Sequence, residues 1–363
     1  MTNKLEVKEV INCSGRMTYL GSSTLSDDVI KAMNHGAVNY FDMNELIRKA
    51  GKAIGQYAGA DDAYITCGAS SGMVIAVAAV ITEGNACEIK RVPHVSTEKN
   101  AILIQTGHCI DFGAEITQMI SLGGGKATAV GSVNKCEKDL LDASLSERTA
   151  AVVYVKSHHA VQDGMLSLTD VINSAESKGI PVIVDAAAEE DFKKYIGMGA
   201  DMAIYSGAKA FGGPTSGCIV GKQKYIDWCY AQAKGVGRPF KVGKETIFGL
   251  YEAISEYAEK QSEANECDLF VPIENFIKNI EGIKTSRIPD SMGRDIVRLR
   301  IAVDKDKVGK SAQEIARELQ NGNPAIYTRN HHASSGYFEF DPRPMFERDL
   351  PIIIRKLEEI LEG

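Results

Sequence analysis

The 363-residue chain has no hydrophobic run long enough to cross a bilayer. Its longest apolar stretch is Met73 to Ile81, whereas a transmembrane helix needs about 20 such residues. The N-terminus, MTNKLEVKEV, also lacks the charged-then-apolar layout of a secretory signal. We therefore expect a soluble, cytoplasmic protein with no membrane partner.

The chain also has no excess of basic residues. Lys and Arg number 41 against 48 Asp and Glu, which gives a formal net charge of -7 at pH 7. Nucleic-acid-binding proteins cluster Lys and Arg on one face, and no basic run stands out here. We therefore expect no nucleic-acid partner.

The eight cysteines form no recognisable metal or disulfide pattern. No two are spaced as C-x-x-C, and none clusters with histidine at zinc-ligand spacing. Most lie in apolar surroundings, which is typical of reduced thiols in the core of a cytosolic protein. The adjacent His158 and His159 have no carboxylate or cysteine to complete a ligand set. We therefore expect no metal.

What the sequence does contain is a regular alternation of strands and helices from residue 60 to residue 220. The predicted strands are short and apolar, which indicates an α/β domain with a mostly parallel sheet. A long helix predicted from Thr246 to about Ala264 then leads to a mixture of helices and strands. We expect a large domain over 1–245, whose first 20 residues could instead pack on a small α+β domain, and a linking helix with that small domain over 246–363.

Polar side chains follow several predicted strands at the point where each strand ends. Asp185 closes an apolar run, Lys209 follows the predicted strand Asp201 to Tyr205, and His108 and Ser157 follow two others. Ligands of open α/β sheets bind at the carboxyl ends of the strands. We therefore expect these side chains to lie at one edge of the sheet.

A turn of small residues, Gly68 to Gly72, directly precedes a strongly apolar helix. Such a turn exposes backbone N–H groups at the positive end of the helix dipole, where phosphate binds readily. A tight turn without a ligand would have a similar composition, so both interpretations remain open. The candidate phosphate ligands are Gly68, Ala69, Ser70, Ser71, Gly72 and Ser206.

Together these groups match the needs of pyridoxal 5'-phosphate (PLP). We assign Lys209 as the amine that binds the aldehyde, and Asp185 as the carboxylate that keeps the pyridine nitrogen protonated. His108 is the candidate for stacking on the ring, and His158 or Ser157 for the ring hydroxyl. Each residue alone could be an ordinary loop or capping residue. Their placement on successive strand ends favours a PLP site.

These motifs also resemble a known family, the fold-type I PLP enzymes related to selenocysteine synthase. The resemblance runs from VINCSGRMT through the small domain and rests on the strings GHCIDFGAEI, VKSHHAVQDGMLS, PVIVDAAAEED, YSGAKAFGGPTSG and GVGRPFKVGKE. Within that group the strings are most similar to ammonia-lyases of phosphorylated amino sugar acids. The resemblance implies an aspartate-aminotransferase-like large domain and a homo-oligomer, dimeric or larger, with shared active sites. It also implies that Thr215 contacts the phosphate of a neighbouring subunit's site.

The implied reaction is loss of water and ammonia from a phosphorylated amino sugar acid. Lys209 or a neighbour would remove the Cα proton, and His158 or His159 would protonate the leaving hydroxyl. Arg329 is the candidate for the substrate carboxylate, because enzymes of this fold tend to use a small-domain arginine there. The cations considered for the two anionic ends of the substrate are Arg16, Arg238, Lys241, Lys244 and Arg329.

Three alternatives remain open. The first is another PLP reaction of the same group, such as that of an amino-acid lyase, aldolase or racemase. The second is a PLP-fold binding module without catalysis, which we would expect to lack the lysine or the aspartate. The third is selenocysteine synthesis on seryl-tRNA. It is disfavoured, because the bacterial enzyme has a tRNA-binding region ahead of the motif that begins here at Val10, where this chain has almost nothing.

Overall fold

The structure is a computed structural model that describes residues 5, 7–260, 268–290 and 294–362. The chain forms two compact units. We call Leu25–Glu263 the large unit, and Met1–Thr24 together with Ala264–Gly363 the small unit. Across these described ranges, no helix is long and apolar enough to cross a membrane.

Strands and helices alternate along most of the chain. The strands are β1 Val10–Cys13, β2 Asp62–Thr66, β3 Ala101–Gln105, β4 Lys126–Val130, β5 Thr149–Val155, β6 Val182–Asp185, β7 Met202–Ser206, β8 Gly217–Gly221, β9 Ile283–Pro289, β10 Val297–Val303, β11 Ala325–Thr328 and β12 Tyr337–Phe340. The α-helices are α1 Asp27–Val38, α2 Met43–Ala58, α3 Ala69–Thr82, α4 Ala86–Ile89, α5 Ile116–Leu122, α6 Lys138–Ser144, α7 Leu168–Glu176, α8 Lys194–Gly197, α9 Gln223–Ala231, α10 Lys244–Lys260, α11 Val271–Ile277, α12 Lys305–Val308, α13 Ala312–Asn321 and α14 Leu350–Glu362.

The large unit is built on a seven-stranded sheet with the order β2-β8-β7-β6-β5-β3-β4. Neighbouring strands from β7 to β4 are parallel, and β8 runs antiparallel to both β2 and β7. Every residue of β5 is buried, as expected where both faces of a parallel sheet are covered. The predicted α/β fold with a mostly parallel sheet is therefore confirmed.

Helix α3 explains the longest apolar stretch of the sequence. All of its residues from Ser71 to Thr82 are buried. A helix that is apolar on every side is stable only when it is surrounded by protein. Its first turn is the exception, because Ala69 is only partly buried and Ser70 is exposed. The same helix therefore anchors the core and presents its N-terminus at the edge of the sheet.

Helix α10 lies in the large unit, so the expected division at 245/246 falls inside it. Ile247, Leu250 and Ile254 of this helix are buried in the core of the large unit. The division between the two units lies at 263/264. The expected end of this helix, Ala264, lies outside the described residues.

The small unit combines two small sheets with helices. Strands β12, β10 and β9 form an antiparallel sheet in that order. Strand β1 pairs in parallel with β11, so that Val10 is opposite Ala325. Buried side chains of β1, β10, β11 and β12 share one core with α11, α13 and α14. The N-terminal strand is therefore part of the small unit.

Candidate active site

The residues expected to bind the cofactor lie along one edge of the sheet in the large unit. Gly217, the first residue of β8, pairs with both Thr66 and Ser206. Asp185, the last residue of β6, is in register with Val155, the last residue of β5. The turn Gly68 to Gly72 follows β2, and the turn that holds Lys209, which we call the lysine turn, follows β7. The two turns therefore meet beside the end of the strand that carries Asp185, as the sequence predicts for a ligand site.

Asp185 and Lys209 are close enough for their charges to interact. Burial raises the pKa of Asp185, while the Ala187 N–H and the charge of Lys209 lower it. The Ala187 N–H donates to Asp185 Oδ1 at 3.1 Å. A partly buried carboxylate with a cation nearby can face and hold a protonated ring nitrogen.

Lys209 lies in a compact turn directly after β7. The Gly213 N–H donates to the Gly207 carbonyl at 2.8 Å, and the Gly212 N–H donates to the Lys209 carbonyl at 3.2 Å. Gly212 has a φ of +66°, a conformation that glycine adopts without strain. A Cβ on Gly207 would lie 2.2 Å from Ser216 Oγ and 2.6 Å from Leu250 Cδ1. The glycines around Lys209 are therefore required by this tight turn.

The turn from Gly68 to Gly72 has the form of an anion cradle. No side chain caps the N-terminus of α3, so its first N–H groups are open to a ligand. The Gly68 carbonyl accepts hydrogen bonds from Thr66 Oγ1 at 2.8 Å and Ser71 Oγ at 2.7 Å. The Ser71 hydroxyl therefore donates within the turn. The group of Ser71 that remains for a ligand is its backbone N–H.

Gly217 of β8 packs directly against the backbone of this turn. A Cβ there would lie 2.8 Å from the Gly68 carbonyl carbon and 2.9 Å from the Ala69 nitrogen. Only glycine lets β8 approach the turn this closely. The cradle at one strand end and the Asp185–Lys209 pair nearby fit the phosphate and the ring of PLP.

His108 is fully buried beside this edge. Its Nδ1 accepts the Val155 N–H at 3.2 Å, and its ring meets Tyr154 edge-on with centroids 4.7 Å apart. Burial, assisted by the charge of Lys156, lowers the pKa of His108 to about 4. The ring is therefore neutral, with its proton on Nε2, which has no hydrogen-bond partner among the described residues. Stacking of His108 on PLP stays a prediction.

The loop after β5 carries the two adjacent histidines. Both are exposed, with ring centroids 3.9 Å apart, and the His159 N–H donates to Ser157 Oγ at 3.2 Å. Desolvation and the charge of Lys209 lower the pKa of His159, whereas the charge of Asp111 raises it. The charge of His159 is therefore coupled to that of Lys209.

Lys244 has a structural role that the sequence did not indicate. Its Nζ donates to the carbonyls of Gly36 at 2.6 Å and Ala37 at 2.8 Å. These carbonyls belong to the last turn of α1, where backbone acceptors lack partners within the helix. Lys244 therefore caps α1, and its binding of substrate stays a prediction. Arg238 and Lys241 are exposed, as is Thr215, and their roles stay predictions.

The small unit contains a cluster of arginines, which we call the arginine cluster. Among the described residues of this cluster, five guanidinium groups share three carboxylates. Its members are Arg294, Arg298, Arg300, Arg329, Arg343, Asp290, Glu339 and Asp341. Of these members, only Arg329 was predicted from the sequence to be a site residue. The alternation of VRLRIAV in β10 was the available signal for Arg298 and Arg300.

Arg329 is the member of the arginine cluster with the weakest carboxylate contact. Its Nε lies 3.8 Å from Glu339 Oε2, is buried, and has no hydrogen-bond partner in the described part of the chain. Burial and the charge of Arg298 lower the pKa of Arg329. A buried guanidinium N–H of this kind is suited to an anion. Arg16 also lies in the small unit and is partly buried.

Comparisons with known proteins agree with this geometry. The family model described as "SelA: L-seryl-tRNA selenium transferase" matches residues 10–335. A relative from Salmonella typhimurium (strain 14028s / SGSC 2262), named D-glucosaminate-6-phosphate ammonia lyase, is 41% identical over 359 residues, which is 99% of this chain and 97% of the relative. A Streptomyces relative, named 5'-C-glycyluridine monooxygenase-decarboxylase, is 38% identical over 362 residues, covering 98% of this chain and 91% of the relative.

A solved structure of a D-glucosaminate-6-phosphate ammonia-lyase superposes with a TM-score of 0.92 at 40% identity, covering 98% of this chain and 96% of the other. The fold is that of the fold-type I PLP enzymes, and the resemblance seen in the sequence is confirmed. Because the family model spans most of the chain and both relatives match nearly all of it, the protein belongs to the L-seryl-tRNA selenium transferase family.

Proposed function

We propose that the protein is a PLP-dependent ammonia-lyase that converts D-glucosaminate 6-phosphate to 2-keto-3-deoxygluconate 6-phosphate and ammonia. The observation that carries the proposal is the electrostatic coupling of Asp185 and Lys209 at the strand ends beside an uncapped helix N-terminus. The nearly full-length similarity to a relative with this activity in its name supports the choice of substrate.

The residues of the large unit have distinct proposed roles toward the cofactor. Lys209 would hold the aldehyde carbon of PLP, Asp185 the ring nitrogen, and the first N–H groups of α3 the phosphate. When bound, PLP supplies an electron-accepting ring that stabilises negative charge at the substrate Cα. The position of Asp185 matters because a protonated ring nitrogen strengthens that effect.

The proton transfers are assigned to residues at the same edge. Lys209 Nζ, once free, takes the Cα proton of the substrate, and His159 donates a proton to the C3 hydroxyl, which leaves as water. The unsaturated amine that is released takes up water and loses ammonia. The water lost in the elimination is regained in the hydrolysis, so ammonia is the net leaving group.

The anionic ends of the substrate need separate cations. We assign the carboxylate to Arg329, because its buried Nε has no hydrogen-bond partner among the described residues and guanidinium groups match carboxylate geometry. Arg16 and Arg238 are the proposed cations for the substrate phosphate.

A second candidate function comes from the Streptomyces relative. Its name describes a monooxygenase-decarboxylase, and it is only slightly less similar to this chain than the ammonia lyase is. That reaction consumes molecular oxygen and releases carbon dioxide, whereas the proposed reaction does neither. The two functions therefore differ in oxygen uptake, which is simple to measure.

The test is product analysis with the PLP-loaded protein. We expect D-glucosaminate 6-phosphate to yield ammonia and a 2-keto acid in equal amounts, without oxygen uptake. Absence of both products would overturn the substrate assignment. Simple amino acids and a 5'-C-glycyl nucleoside serve as competing substrates, and a gel shift with tRNA tests the selenium-transferase alternative.

Lys209→Ala tests the cofactor assignment separately. The wild-type protein should acquire a visible absorption band with PLP and a borohydride-trapped adduct, and the variant should show neither. Lys222→Ala is the matched control, because Lys222 also follows a strand of this sheet but pairs with Asp201 at 2.7 Å. A colourless wild-type protein after addition of PLP would contradict the assignment.

A further inference from the structure

The segment between Asp185 and α8, residues 186–193, has no regular secondary structure. We call it the aspartate loop. Its beginning is bonded to the strand that leads to Lys209. The Ala186 N–H donates to the Ile204 carbonyl at 3.0 Å, and the Ser206 N–H donates to the Ala187 carbonyl at 3.3 Å. Since the Ala187 N–H also binds Asp185 Oδ1, movement of the loop would displace the carboxylate.

Three tyrosine hydroxyls hold the rest of the aspartate loop. Tyr195 donates to Glu189 Oε2 at 2.6 Å, and Tyr257 donates to the Glu190 carbonyl at 2.5 Å. Tyr205 donates to the Asp191 carbonyl at 3.1 Å. The Glu189 side chain is itself buried, with 7% of its surface exposed. A buried acceptor such as the Glu189 carboxylate needs a donor from the protein.

Aromatic contacts connect the aspartate loop to the lysine turn. Phe211, two residues after Lys209, meets Phe192 of the loop with ring centroids 4.8 Å apart. Phe211 also meets Tyr257 edge-on at 5.1 Å. Tyr257 therefore touches both segments, because its hydroxyl binds the aspartate loop and its ring packs against the lysine turn.

We propose that Tyr257 and Tyr195 are positioning residues that set the Asp185 carboxylate relative to the Lys209 amine by holding the aspartate loop. The proposal rests on the proposed cofactor chemistry at Lys209. It predicts that loss of either hydroxyl changes the electrostatic environment of the bound cofactor, in addition to any loss of stability.

The test compares two conservative substitutions in the PLP-loaded protein. Tyr257→Phe removes one hydroxyl and keeps the ring. Tyr230→Phe is the matched control. Tyr230 lies on α9, and its hydroxyl also donates to a backbone carbonyl in a partly buried setting, that of Ala63 at 2.9 Å. The measurements are the pH midpoint of the visible cofactor band, the PLP dissociation constant, and kcat and KM.

We expect Tyr257→Phe to shift the pH midpoint of the cofactor band by about half a unit or more, and to raise the PLP dissociation constant about 3- to 10-fold, the effect of one net hydrogen bond. We expect kcat to fall more than KM rises. Tyr230→Phe should leave the midpoint and the dissociation constant unchanged. Tyr195→Phe, which leaves Glu189 without this donor, should act in the same direction as Tyr257→Phe.

Equal midpoints in the wild type and both loop variants would overturn the proposal, and so would equal shifts in Tyr257→Phe and the Tyr230→Phe control. Either result would mean that the hydroxyls only satisfy buried acceptors. A wild-type protein without a cofactor band would overturn the proposed function as well. A normal wild-type band with unshifted variants would overturn the positioning role alone.

Discussion

At the scale of single residues, environment decides what each histidine can do. His108 and His159 follow neighbouring strands at the same edge of the sheet. His108 is fully buried with a pKa of about 4, so its imidazole is neutral at pH 7 and cannot serve as a proton donor there. His159 is exposed, although desolvation and the charge of Lys209 also lower its pKa. Its exposure at the sheet edge, rather than its charge at pH 7, makes His159 the better candidate for the general acid.

His108 should make the protein less stable in mild acid. The pKa is about 4 in the folded protein and about 6.5 in an unfolded chain, so the unfolded state binds more protons between these values. The free energy of unfolding should therefore fall as the pH drops below about 6.5, by about 2 kcal/mol between pH 7 and pH 5. Urea unfolding of the wild type and His108→Gln at both pH values measures this effect.

We expect the wild type to lose about 2 kcal/mol more than His108→Gln over that interval. Substitution of the exposed His94 by Gln is the control, and it should behave like the wild type. Equal losses in the wild type and in His108→Gln would show that His108 is not the group responsible.

At the scale of elements, the anion cradle at Gly68 to Gly72 depends on a helix and a strand that are far apart in the sequence. Helix α3 supplies the N–H groups, and β8 approaches its first turn at Gly217. The composition of the turn left open whether it binds phosphate. The missing side-chain cap adds geometric support, because it leaves the first N–H groups of α3 open. The backbone contact at Gly217 fixes the turn against β8.

Gly217→Ala should destabilise the large unit. The added Cβ would meet backbone atoms of Gly68 and Ala69, within 2.9 Å, and backbone cannot move aside as a side chain does. We expect a loss of about 1–3 kcal/mol in the free energy of unfolding and weaker PLP binding. Gly68→Ala is the control, because nothing lies within 4 Å of its Cβ position and its φ of 170° is open to any residue. A Gly217→Ala variant as stable as Gly68→Ala would contradict this account.

At the scale of the whole molecule, the large unit has exposed apolar side chains at the end of α1. Val38 and Tyr40, on α1 and the loop after it, are 70% and 99% exposed, and exposed apolar groups often mark interfaces. Thr215 is exposed on the turn that follows Lys209. We propose that the protein is a homo-oligomer in which this turn reaches the cofactor phosphate of a neighbouring subunit.

Thr215→Ala should therefore weaken assembly and cofactor binding together. We expect the PLP dissociation constant to rise about 10- to 150-fold, as for one lost hydrogen bond to a charged group, and the oligomer to dissociate at higher protein concentration. PLP titration and analytical ultracentrifugation measure the two effects. Thr169→Ala, an exposed position on α7, is the control. An unchanged PLP affinity in Thr215→Ala would count against a shared site.

The sequence by itself determined the α/β class, the family, and the placement of Asp185 and Lys209 at strand ends. The family rests on the resemblance of longer strings, such as YSGAKAFGGPTSG, to known members. The class and the strand ends depend on local patterns, namely short apolar runs followed by polar and small residues. Local patterns also locate the turn before α3. They extend over a few neighbouring residues, so they can be interpreted without knowing which distant segments meet.

Only the tertiary structure decided the features that join distant segments. Lys244 caps α1 through carbonyls more than 200 positions away, and Tyr257 holds a loop 67 positions away. The burial of His108 and the inclusion of α10 in the large unit could not be predicted from the sequence either. Each depends on which surfaces pack together, and residue type and spacing do not specify packing partners across such separations.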